Sequence, residues 1–131
     1  MKALTILVMI LRLAVLFALI LGILFWTGNA DNLRGIHILL GIITVLALWG
    51  IGLVQGFQKG GSFLLALATF VVGLILAIVG LNQDNWFNGL SFWGIQAIKI
   101  IHLLLGLTAI SLGEMLVARS KRRLKATMTA S

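Results

Sequence analysis

Four long runs of the chain contain almost nothing that water would hold: residues 3–26, 33–56, 62–81 and 92–117 are overwhelmingly apolar. Each is long enough for the roughly 20 residues that a helix needs to cross a hydrocarbon core about 30 Å thick. In lipid every peptide group must find its partner inside its own segment, so such runs can only be helices. Composition agrees, with 61% apolar and 10% charged residues, against about 45–50% and about 25% in soluble domains. The 131 residues make one transmembrane domain. The expected fold is all-α, an integral membrane four-helix bundle.

The connections at 27–32, 57–61 and 82–91 are polar. The first two are short, so consecutive helices should be antiparallel neighbours. The third carries Trp86 and Phe87 and is followed by Phe92 and Trp93, residues suited to a membrane interface. Orientation follows from Lys and Arg. An N-in, C-in arrangement gives the cytoplasm Lys2, Lys59, Arg119, Lys121, Arg122, Arg123 and Lys125. The outer side then receives Arg34 and Lys99, with Asp31 and Asp84 beside them, and Trp26, Trp86 and Trp93 form its aromatic belt. A multi-pass protein of the plasma (inner) membrane is expected.

The net charge of +7 does not point to nucleic acid. Half of the basic residues lie directly beyond the fourth apolar run, where they attract anionic lipid and fix topology. The absence of cysteine excludes disulfides, thiolate metal sites and iron–sulfur clusters. The absence of proline excludes proline kinks. Lys2 with Arg12, the run 13–26 and Gly28-Asn29-Ala30 also have the order of a signal peptide, but the first run is read as a retained helix.

An internal duplication carries the chemistry. Residues 34–41 read Arg-Gly-Ile-His-Ile-Leu-Leu-Gly, and residues 99–106 read Lys-Ile-Ile-His-Leu-Leu-Leu-Gly. Leu and Ile matches are cheap in such a chain, but the basic residue, the histidine and the glycine coincide in register. A weaker echo aligns residues 19–24 with 74–79, which sets Gly22 opposite Ala77. The chain therefore reads as two copies of a two-helix unit, about 1–58 and 62–119, related by an axis along the membrane normal.

His37 and His102 are the only histidines, and the repeat makes them equivalent. Two imidazoles projecting into a bundle from opposite sides are suited to binding a haem iron from both faces. Gly41 and Gly106 follow one turn later on the same helical faces and would leave room for a flat macrocycle. Arg34 and Lys99, about 4.5 Å nearer the outer surface, would meet the propionates. Zinc is a poorer occupant, since it wants three or four protein ligands.

Histidines on the second and fourth helices of a four-helix membrane bundle resemble the b-type membrane cytochromes. That resemblance implies one haem b between His37 and His102, and electron transfer or haem carriage, storage or sensing, with quinone or a redox protein as partner. It differs from the diheme members in having one histidine pair. A homodimer, with haem within or between chains, is left open. Outside the repeat, Arg12 and Glu114 fall within spans and are expected to pair, or Arg12 to snorkel. Met9 and Met115 read as packing residues. Two other functions stay in view: a haem-free transporter using the histidines and Glu114 as a proton path, and an accessory protein docking through Gly41, Gly52 and Gly73.

Overall fold

The computed structural model describes residues 2–130. It contains α1 (Lys2–Trp26), a short 3-10 turn (Asp31–Leu33), α2 (Arg34–Phe57), α3 (Phe63–Phe87) and α4 (Phe92–Ala130). All four helices are long and apolar enough to span a membrane. Both termini lie at one end of the bundle, with the 58–62 connection, and the other two connections lie at the far end. The outside of the bundle is studded with large apolar side chains, Leu13, Leu46, Leu53 and Leu104 among them, as lipid requires.

Two helices run further than hydropathy alone indicates. α3 continues through residues 82–87, so the polar connection shrinks to 88–91. Asn82 supports this extra turn by donating to the Ile78 carbonyl at 2.8 Å. α4 continues past residue 117 to Ala130 as a basic helix. Hydropathy ends where the hydrocarbon ends, but a helix already nucleated propagates into the interface at little cost.

The core is concentrated in the half of the bundle nearer the termini. Leu4, Val8, Leu11 and Val15 of α1 pack with Val45, Leu48 and Ile51 of α2 and with Ala109, Leu116 and Val117 of α4. Glycines let the backbones approach there. A β-carbon at Gly73 would meet the Trp49 indole at 2.3 Å, and one at Gly113 would meet Leu11 at 2.3 Å. At Gly52 it would collide with Thr69, 1.9 Å away. Gly52 and Gly73 thus serve internal packing, which removes them from the partner-docking surface considered from sequence.

The turn between α2 and α3 is tied from within. Gln55, 1% exposed, donates to the carbonyls of Gly52 at 3.2 Å and Ser62 at 2.9 Å and accepts from the Ser62 amide at 3.3 Å. Ser62 caps α3 by accepting from the Leu65 amide at 3.3 Å. Gly61 has no alternative, because a β-carbon would sit 1.9 Å from the Gln55 carbonyl. Arg123 of α4 binds the Gly60 carbonyl and reaches Ser120 Oγ at 3.2 Å, which holds the basic extension against this turn.

The expected ion pair forms. Arg12 donates to both carboxylate oxygens of Glu114, Nη2 to Oε2 at 2.8 Å, across the seam between α1 and α4.

Gly73→Leu should destabilise the bundle by about 1–3 kcal/mol or more, the usual range for overpacking. Gly35→Ala should be nearly silent, since nothing lies within 4 Å of that site. Reversible unfolding in mixed detergent micelles would measure both; equal effects would contradict the packing described.

Candidate functional site

In the other half of the bundle the four helices line a cavity of about 580 Å³ at the end opposite the termini. His37 enters it from α2 and His102 from α4. Their ring centroids are 6.1 Å apart, with planes inclined at 61°. Phe25 braces His37 edge-on at 5.3 Å. The buried Nδ1 atom of each histidine has no hydrogen-bond partner, which is unusual for buried polar atoms.

Each imidazole lies over a glycine of the preceding helix in its own half. A β-carbon at Gly22 of α1 would stand 3.6 Å from His37 Cε1. At Gly80 of α3 it would stand 3.1 Å from His102 Cε1 and 3.7 Å from Nδ1. Gly22 and Gly80 are therefore spatial counterparts. This displaces the register read from residues 19–24 and 74–79, which opposed Gly22 to Ala77. In the spatial register, 19–23 (Leu-Ile-Leu-Gly-Ile) falls on 77–81 (Ala-Ile-Val-Gly-Leu), and the extra residues of the second copy lie between Gly80 and His102. Sequence reasoning missed both glycines because the apolar echo fits either register.

Gly41 and Gly106 also line the cavity, and nothing lies within 4 Å of where their β-carbons would be. The two glycine pairs thus do different work. Gly22 and Gly80 let the imidazoles lie against neighbouring backbone, and Gly41 and Gly106 keep the space between the helices open.

The mouth is charged and internally paired. Arg34 forms an ion pair with Asp84 of α3, linking the two halves across the opening. The Lys99 ammonium lies 5.9 Å from the ring centres of both Trp26 and Phe87, within cation–π range. Asp31 lines the same rim. The rim therefore carries two cations and two carboxylates.

Among the described residues there is no group of three or more His, Cys, Asp or Glu side chains that could hold a metal ion. Two facing imidazoles in an apolar slot can serve a planar group that brings its own remaining donors, or hydrogen-bond a flat polar ligand. Comparison with protein-family models, curated proteins and solved structures gives no match.

Gly80→Val should push the His102 ring from its seat and leave His37 nearly unmoved, while Gly22→Val should do the reverse. With only two histidines in the chain, nitrogen-15 spectra of histidine-labelled protein resolve the two rings. Equal shifts of both signals in either variant would contradict the separate seating.

Proposed function

We propose that the chain is a membrane b-type haem protein that holds one haem between His37 and His102 and serves electron transfer or haem carriage. The separation of the two rings carries this reading. An imidazole nitrogen sits about 2.0–2.1 Å from a bound metal ion, and about 1.1 Å from its own ring centre, so two imidazoles in line on one ion have centres roughly 6.3 Å apart. The observed 6.1 Å is near that value with no bond between the rings to draw them together. The cavity volume lies inside the range of about 300–1,000 Å³ usual for cofactor sites. The open faces of Gly41 and Gly106 support the same occupant.

His37 and His102 would hold the haem, which when bound would supply one-electron chemistry. The chain's own contribution is to seat the two rings, keep water out with apolar walls, and meet the propionates at the mouth. Lys99 is the better placed cation for that task, because Arg34 is already engaged by Asp84. The transporter reading loses its acidic member: Glu114 faces outward, paired with Arg12, about 18 Å along α4 from His102.

The charge distribution supports an inner-membrane protein with both termini in the cytoplasm, since Lys2, Lys59 and the five basic residues of the α4 extension share one end. The haem would then lie toward the outer leaflet. A reporter fused after Ser131 should read cytoplasmic, and one inserted in the 88–91 connection should read external. The reverse pattern would place the pocket on the other face.

Protein purified after expression with ample haem should show a sharp Soret band and a narrow α band on dithionite reduction. His37→Ala and His102→Ala should each abolish this low-spin spectrum. Lys99→Ala should keep it but weaken haem retention by roughly tenfold, since hydrogen bonds to charged groups are worth about 1.5–3 kcal/mol. Arg34→Ala should weaken it less, and Asp84→Asn should improve it by freeing Arg34. A colourless wild-type protein would defeat the haem reading; an unchanged spectrum after loss of either histidine would defeat the ligand assignment.

A further inference from the structure

The Arg12–Glu114 pair does no work for the pocket and faces away from the bundle. The two side chains are 56% and 38% exposed, on a surface shared with the exposed Met9, Leu13, Leu16 and Met115 and with Ser111. Their depth follows from the helices. Trp26 and Lys99 are in contact at the pocket mouth. From that level Arg12 lies about 21 Å down α1, and Glu114 about 22 Å down α4. Gly60, held by Arg123, marks the opposite boundary about 14 Å below Glu114. Both charges thus lie within a hydrocarbon core about 30 Å thick, in its half nearer the termini, at the same depth and side by side, with the exposed basic residues Arg119 and Lys121 beginning about 7 Å below Glu114. Charged side chains within spans face a bundle interior or a partner, because lipid gives them nothing to bond.

We infer that the α1–α4 seam is the interface of a parallel homodimer, centred on a ring of two Arg12–Glu114 pairs. The geometry of the pair selects a second copy as the occupant. Two copies with the same orientation in a membrane are related by a two-fold axis along its normal. That axis turns a cation-left, anion-right pair into one that meets it cation to anion, provided both charges lie at one depth. They do. The bonding capacity also fits. Within one chain Arg12 uses Nε and one Nη2 hydrogen, which leaves its Nη1 hydrogens and the second Nη2 hydrogen for another carboxylate. Each Glu114 oxygen accepts one bond within the chain and retains capacity for a second. Four charged groups so arranged satisfy one another without water. The seam takes α1 from the first half of the chain and α4 from the second, so the interface lies outside the two-histidine cavity and does not depend on what fills it.

The test counts subunits in bilayers. The chain has no cysteine, so Ala126→Cys, on the exposed α4 extension, gives one fluorophore per copy. Full-length protein in vesicles is diluted with lipid, and photobleaching steps are counted. The wild-type background should show two-step spots that convert to one-step spots on dilution. Arg12→Leu with Glu114→Leu removes the ring but leaves an apolar, lipid-compatible seam, and should weaken dimerisation by about tenfold or more. The swap Arg12→Glu with Glu114→Arg keeps the pair self-complementary and should restore dimers. Far-ultraviolet circular dichroism and the unfolding midpoint establish that each variant is folded. The proposal is overturned if the wild-type protein is monomeric at high density, as lipid headgroups satisfying the pair would make it. It is equally overturned if the double-leucine variant dimerises as well as wild type, or if the folded swap variant stays monomeric.

Discussion

Hydrocarbon offers a peptide group no hydrogen bond, and everything else in this molecule is arranged around that fact. It forces the four apolar runs into helices, and it removes the usual drive for those helices to associate, since lipid is as apolar as their side chains. Association must come from shape. Gly52, Gly73 and Gly113 supply it where the helices cross closely, and the buried aliphatic core gathers in that same half. Beyond the core the four helices line the histidine cavity. A void lined by apolar side chains forgoes dispersion contacts, so an occupant for the cavity would stabilise the half of the bundle that packs least well by itself.

Much of this was legible in the residues. The number of helices and their approximate spans follow from run length, and of the two courses open to Arg12, pairing with Glu114 or snorkelling, the structure shows the pair. That His37 and His102 meet follows from the repeat, because equal register in two copies implies equal depth. The features that were not legible depend on distances between helices. Nothing in the linear pattern assigns Gly22, the single glycine of α1, to an imidazole, or separates Gly80 from Gly73 on α3 as the one that touches a histidine. The ends of α3 and α4 were hidden because polar helix beyond the hydrocarbon looks like loop to any hydropathy argument.

The rim of the cavity shows the same limit in electrostatic form. From sequence, Arg34 and Lys99 are equivalent members of a repeat. In the fold they are not, because Asp84 sits on the extra turn of α3 and reaches Arg34, while Lys99 rests between Trp26 and Phe87. The seven added residues between Gly80 and His102, relative to those between Gly22 and His37, set α3 and its acidic end where one half can grip the other. The duplication therefore keeps its symmetry at the imidazoles and loses it at the rim.

The uneven packing also has a mechanical side. The stiff base is the core from Leu4 to Val15 and its partners, reinforced by Gln55 and Arg123 at the turn. The histidines lie toward the other end, where the two halves meet through the half-exposed Arg34–Asp84 ion pair, worth at most about 1 kcal/mol, and through Lys99 over Trp26. A planar guest entering the histidine cavity through this mouth would disturb these contacts and leave the core intact.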